Sequence, residues 1–188
     1  LLNVSSQDIS GLDLNISKIF DVDFGEIRLN NFLSYLLKND IQLRPSLPIE
    51  DCKGKYENTC GLPSPQIQNI FSMDFIYKVS KFDASSNLTM RYIDGVDDSN
   101  TQNPIDFSSY YYLDMNYSID LANDINFSFG INNIFDKNPP LNGKSINYVP
   151  GNANTYPSYY DPLGRFVYLN ISKRIYYCAS FLFLLYSL

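Results

Sequence analysis

Seven stretches of this chain alternate apolar and polar residues with a period of two, and the charges within them fall almost entirely on the polar phase. That period marks β-strands with one apolar face. The last stretch shows it most plainly. After the Tyr-rich run Thr155–Tyr160 and the turn Pro162-Leu163-Gly164, Val167, Leu169 and Ile171 alternate with Tyr168, Asn170 and Ser172. Six earlier segments take the same form. At about 7–19, Leu12, Leu14 and Ile16 oppose Asp13, Asn15 and Ser17, and at about 26–37, Ile27, Leu29, Leu33 and Tyr35 oppose Arg28, Asn30 and Ser34. At about 66–79, Ile67, Phe71, Met73, Phe75 and Tyr77 oppose Gln68, Ser72, Asp74 and Lys78, and at about 85–93, Leu88, Met90 and Tyr92 oppose Asn87, Thr89 and Arg91. Around 112–119, Leu113, Met115, Tyr117 and Ile119 oppose Tyr112, Asp114, Asn116 and Ser118; around 125–132, Ile125, Phe127, Phe129 and Ile131 oppose Asn126, Ser128, Gly130 and Asn132. Apolar residues at helical spacing are not sustained before the tail, and Asn, Ser and β-branched residues dominate the segments. The fold class is all-β.

Alternation suits both a β-sandwich core and a lipid-facing barrel wall. Two features favour the barrel. With the phase set by the apolar residues, Asp13, Arg28, Asp74, Lys78, Arg91 and Asp114 lie on the polar face. A Lys or Arg at mid-bilayer on the lipid side costs about 2–4 kcal/mol, so a barrel wall requires this segregation. The exceptions, Lys18, Arg165 and Lys173, are expected at segment ends, where long side chains snorkel. The connections also alternate: short at 21–25, 80–86 and 120–124, long at 39–64, 94–109 and 136–160. Outer-membrane barrels pair short periplasmic turns with long extracellular loops. The expectation is an antiparallel transmembrane β-barrel fragment of about seven strands. An odd count leaves unpaired edges, and the chain starts at Leu1 without Met, basic n-region or cleavage site. It therefore reads as part of a larger barrel.

Composition narrows the chemistry. The chain has no His, which removes Ser-His-Asp and Cys-His nucleophile arrangements and the usual zinc sets. No carboxylate pair or Gly-rich phosphate loop stands out, so neither enzyme activity nor a cofactor is expected. A net charge of −6 without a basic cluster argues against nucleic acid as a partner. Cys52 and Cys60 sit close together in a Pro/Gly/Asn-rich stretch and read as a disulfide, with a pair of unlinked thiols as the alternative. Asp94, Asp97, Asp98 and Asn100 lack EF-hand spacing and read as a solvated acidic loop rather than a calcium site. Of six Asn-x-Ser/Thr sequons, five fall inside strands and read as composition.

Several runs resemble one family. Tyr160-Asp161-Pro162-Leu163-Gly164-Arg165-Phe166, within the run from Tyr156 to Ile175, resembles the C-terminal end of TonB-dependent outer-membrane receptors. Gly130-Ile131-Asn132-Asn133-Ile134-Phe135-Asp136-Lys137-Asn138-Pro139-Pro140 is similar to that family's recurrent "NN-[LI]-FD" strand exit, and Ser109–Met115 to the strand before it. Asp51-Cys52 with Thr59-Cys60-Gly61-Leu62-Pro63-Ser64-Pro65 resembles a disulfide-bearing loop of one branch, and Ser10-Gly11-Leu12-Asp13-Leu14 the family's "G-[VL]-[DE]" strand. The matches run in family order over nearly all of residues 3–175. The resemblance implies residues 1–175 as the C-terminal part of a 22-stranded barrel in the outer membrane of a Gram-negative bacterium. The implied partners are the remaining N-terminal strands, a plug domain, outer-membrane lipids, and the TonB–ExbB–ExbD complex acting through a TonB box outside this sequence. The implied cargo is a large scarce solute: an iron–siderophore, a cobalamin or an oligosaccharide.

Within that expectation, Tyr148, Tyr156, Tyr159 and Tyr160 are the candidate substrate-binding residues, as aromatic platforms in the last long loop, with membrane-interface anchoring as the alternative. Arg91 and Asp114 line either the solute path or a wall facing the plug. The apolar tail 176–188 departs from the family pattern, which ends near Ile175, and is too short to span a bilayer as a helix. The rival readings are a small outer-membrane porin or adhesin and a secreted glycan-binding β-sandwich.

Overall fold

A computed structural model describes residues 5–56, 60, 62–79, 82–98, 107–121, 124–141 and 155–174. Its strands are β1 (Ser6–Val22), β2 (Gly25–Gln42), β3 (Glu50–Asp51), β4 (Lys55–Tyr56), β5 (Ile67–Val79), β6 (Phe82–Ile93), β7 (Asp97–Asp98), β8 (Tyr110–Leu121), β9 (Ile125–Asn132) and β10 (Phe166–Lys173). The seven long strands form one antiparallel meander in the order β1-β2-β5-β6-β8-β9-β10. No helix occurs among the described residues. Two short additions escape sequence reading: β3 pairs with β2, and β4 pairs in parallel with β7. The sheet is open, since β1 pairs only with β2, and β10 only with β9. The tail 176–188 and Ile175 lie outside the described residues.

The turns follow from local chemistry. β1 and β2 join through Asp23-Phe24, with Val22 opposite Gly25. Gly25 has φ +146°, and a Cβ there would collide with the Ile76 carbonyl on β5. Only glycine lets the neighbouring backbone come so close. The second strand outruns its sequence expectation, continuing from 37 to Gln42. Its register explains why. Ser10 pairs with Lys38 while Gly11 pairs with Leu36, so Leu37 is an extra residue in a bulge. A bulge inverts the phase of everything beyond it, so the alternation ends although the strand does not.

The register keeps the two phases apart across all seven strands. Leu14 pairs with Leu33, Leu29 with Met73, Met73 with Leu88, Leu88 with Met115, Met115 with Ile131 and Ile131 with Val167, forming continuous apolar rows. Polar residues are few on that face: Asn31 and Asn69 satisfy one another through an Asn69 Nδ2–Asn31 Oδ1 bond of 2.8 Å, Ser86 lies beside the Tyr77 hydroxyl, and Lys18 and Lys173 lie toward the short-turn end. Lys18 is a correction to the sequence expectation. It lies inside β1 opposite Leu29 rather than at a strand end, with its ammonium 5.8 Å from the centroid of Phe20 toward the short turn. The opposite face is bonded side chain to side chain. Ser17 donates to Asn30 (2.9 Å), Asn87 to Asp74 (2.5 Å) and Thr89 to Asn87 (2.8 Å).

No second sheet covers the apolar face among the described residues. Met90 and Met115, on interior strands of the sheet, remain 41% and 36% exposed. The buried core lies elsewhere. Tyr56, Ile93, Val96, Phe107, Tyr112, Tyr156 and Tyr160 form one cluster at the end of the sheet where the long connections emerge.

Candidate functional site

Two of the family-like runs fold into turns that fit each other. Asn133 and Asp136 adopt left-handed conformations, φ 54° and 53°, which asparagine and aspartate tolerate better than most residues. The buried Asn133 side chain closes its own turn, accepting from the Lys137 N–H (2.9 Å) and donating to the Lys137 carbonyl (2.9 Å). Asp136 then accepts from the Arg165 N–H at 2.8 Å. Gly164, at φ +70°, supplies the room, because a Cβ there would lie 2.9 Å from Asp136 Oδ1. The strand exit after β9 is thereby latched to the turn that enters β10.

Beside this latch, Arg91 of β6 bridges two carboxylates. Its Nε reaches Asp114 Oδ2 at 2.7 Å, and its Nη2 reaches Asp161 Oδ2 at 2.6 Å. The weaker arms are 3.3 Å each, so both contacts are forked. Asp114 also accepts from the Asn133 backbone N–H (2.8 Å), and the Asp161 N–H donates to the Tyr112 hydroxyl (3.2 Å). The Arg91 guanidinium lies over the Tyr112 ring at 4.8 Å. Such charge-assisted, bidentate contacts fix orientation as well as energy. The group carries one positive and two negative charges, so it presents a net negative field.

Above it sits the aromatic core. Tyr56 packs on Tyr156 with centroids 4.8 Å apart, Phe107 meets Tyr156 edge-on at 5.8 Å, and Tyr110 meets Tyr160 edge-on at 5.4 Å. Cys52 and Cys60 form a disulfide of 2.01 Å with Cα atoms 5.6 Å apart, enclosing the loop that carries Tyr56. Burial pushes the Tyr160 hydroxyl up to about 12, and the neighbouring Tyr112, Tyr110 and Tyr159 add to it. Burial raises Tyr159 as well.

Below the aromatic core, three connected hollows run along the polar face. The central one, of about 300 Å³, is lined by Phe32, Ser34, Gln68, Ile70, Arg91 and Tyr159 among others. A second, of about 200 Å³, shares Ser34, Gln68 and Tyr159 and adds Leu36 and Asn39. A third, of about 350 Å³, shares Arg91 and continues past Asp114 and Asp161 to Phe166. Tyr159, packed against the aromatic core, therefore borders both the central hollow and the second.

Of the four tyrosines singled out from the sequence, Tyr159 lines this groove. Tyr156 and Tyr160 are seated in the aromatic core, 8% and 2% exposed, their rings packed on protein neighbours. Tyr148 lies outside the described residues, as does Asn100 of the acidic loop. Among the described residues, no three His, Cys, Asp or Glu side chains gather as a metal would need. Arg91 and Asp114 do border the groove, engaged with each other. Sequence reading missed Phe32 and Ile70, which are direct cross-strand partners on the polar face. The signal was available: both are apolar residues out of phase with their strands. No protein-family model, curated protein or solved structure matches the chain.

Proposed function

We propose that this chain is the C-terminal wall of the barrel of a TonB-dependent receptor in a Gram-negative outer membrane. The receptor would import a large scarce solute. On this reading the apolar face meets lipid acyl chains, the polar face meets the plug and the solute, and the long loops lie outside the cell. The remaining strands, the plug and the TonB box that receives energy from TonB–ExbB–ExbD would come from residues other than these.

One observation carries the membrane part of the reading: a continuous apolar face across seven strands that the described chain leaves uncovered. Soluble monomers rarely expose contiguous apolar patches larger than a few hundred Å², and here Leu14, Ile16, Met90, Met115, Val167, Leu169 and Ile171 on one face all remain exposed. A soluble sandwich would need a second sheet over it. The loop alternation persists in the structure, with short links at the β1–β2, β5–β6 and β8–β9 ends and long ones at the other. The TonB-dependent part rests on the resemblance of the sequence runs, two of which fold against each other at the latch.

This stretch contains no Trp, so once any tryptophans outside it are replaced by Phe, an introduced Trp is the only one. The full-length gene product carrying Leu14→Trp, Met73→Trp or Leu169→Trp is placed in vesicles of lipids brominated in their acyl chains. Strong quenching of these, with Asn15→Trp and Ser128→Trp left bright, is the expected pattern. Equal quenching on both faces, or a protein that stays in water without detergent, refutes the wall. Solute uptake that persists in cells lacking TonB refutes the energy coupling.

A further inference from the structure

The geometry points to the groove beneath Tyr159 as a binding site for a neutral, polyhydroxylated ligand, a glycan segment, in preference to an anionic chelate. This rests on the reading above only in taking the polar face as the side that borders the solute path.

Three observations converge there. The first is the break in the face pattern. Phe32 and Ile70 pair directly, are 42% and 46% exposed, and form an apolar step flanked on the same face by the Asn30–Ser72 and Ser34–Gln68 pairs, with Asn15 and Arg91 on the adjoining strands. Tyr159 lines the same hollow, so apolar surface and an aromatic ring border one space. The C–H faces of a pyranose ring fit between such surfaces, as an apolar pocket with a few placed polar groups orients a small ligand.

The second is free hydrogen-bonding capacity. Deeper on the same face the polar side chains bond one another, through Ser17–Asn30, Asn87–Asp74 and Thr89–Asn87. Ser34 and Gln68, paired directly across β2 and β5, take part in no such side-chain bond among the described residues. Nor does the Tyr159 hydroxyl, although burial pushes its ionisation upward. Hydroxyl, amide and phenol together supply donors and acceptors on one ligand edge, which suits sugar hydroxyls.

The third is charge. Among the described residues Arg91 is the one cation lining the three hollows, and its guanidinium is already bound by Asp114 and Asp161. An incoming carboxylate or phosphate would find no free positive charge and would meet a net negative group. The same field disfavours a ferric chelate of negative charge.

The test is a glycan array carrying neutral and uronic-acid oligosaccharides, probed with the detergent-solubilised full-length gene product, followed by calorimetry on the best neutral binder. Neutral oligosaccharides are expected to bind and oligogalacturonates to fail. Tyr159→Ala should weaken binding about tenfold and Tyr159→Phe or Gln68→Ala several-fold, as lost stacking and one lost hydrogen bond require. Binding of no neutral glycan, equal binding of the anionic ones, or a Tyr159→Ala protein with unchanged affinity overturns the inference. Far-ultraviolet circular dichroism identifies a variant that has merely unfolded, in which case Tyr159→Phe and Gln68→Ala decide. The tryptophan quenching pattern separates the two claims. Acyl-chain quenching without glycan binding removes the ligand class and leaves the wall, and glycan binding without quenching does the reverse.

Discussion

Replacing Gly130 with alanine should destabilise the last hairpin, although alanine is normally the better residue in a strand interior. Gly130 on β9 pairs with Tyr168 on β10 and with Asn116 on β8. The Tyr168 ring lies across Gly130, and its hydroxyl accepts a 3.1 Å bond from Asn116 Nδ2, so one side chain spans three strands. A Cβ on residue 130 would fall onto Cζ and Oη of that ring and within 2.5 Å of Cε1. The ring must swing away. The lost hydrogen bond costs about 1 kcal/mol. Uncovering roughly a quarter of the 150–250 Å² that an aromatic side chain buries costs about another 1 kcal/mol. Removing glycine's unfolded-state freedom offsets about 0.5–1 kcal/mol of this. The net loss should be about 1–1.5 kcal/mol. In a Tyr168→Ala background the ring is gone, and Gly130→Ala should stabilise by about 0.5–1 kcal/mol. The sign reversal is the diagnostic, and it implies a coupling of about 2 kcal/mol. Urea unfolding of the four proteins in detergent, followed by far-ultraviolet circular dichroism, measures it. If Gly130→Ala has the same effect in both backgrounds, the ring does not rest on residue 130 and the reasoning fails.

The Arg91 bridge and the buried tyrosine give two further expectations. Arg91→Met leaves Asp114 and Asp161 facing each other; with these side chains only 18% and 29% exposed, the loss should reach about 2 kcal/mol, below the 3–5 of a fully buried pair. It should appear as faster proteolytic nicking within residues 155–165, partly reversed by adding Asp161→Asn, and unchanged nicking would refute the bridge as the loop's anchor. Tyr160 is held protonated up to about 12 against about 10 in an unfolded chain. Its folded pKa is raised, so its contribution is complete below pH ~10 and is lost as pH rises toward ~12. Tyrosinate absorbance should therefore rise in step with loosening of the loop in that window; a Tyr160→Phe protein with the same alkaline profile would refute the assignment.

The sequence by itself determined the strands, their phase and their connection lengths, because all three depend on local order. Whether Leu14 or Asn15 faces the apolar side follows from a period of two, with no knowledge of the partner strand. The closeness of Cys52 and Cys60 likewise marked the disulfide that the structure contains. The limits were physical as well. The bulge at Leu37 inverts the phase, so the pattern hid the last part of β2. Lys18 lies inside β1 because the alternation fades before the strand does, β1 running on to Val22.

Tertiary structure alone decided what the motif residues do. Asn133, Asp136 and Gly164 are recognisable as a pattern, but only folding brings Asp136 to the Arg165 N–H. Arg91 and Asp161 stand 70 residues apart in sequence, and no periodicity links positions so distant. The four tyrosines looked equivalent on the page. Packing divided the described ones, seating Tyr156 and Tyr160 in the core and leaving Tyr159 half-buried at its edge, where it lines a hollow with Phe32 and Ile70. A side chain's type sets what it is able to bind, while the neighbours that the fold brings to it decide whether that capacity remains free.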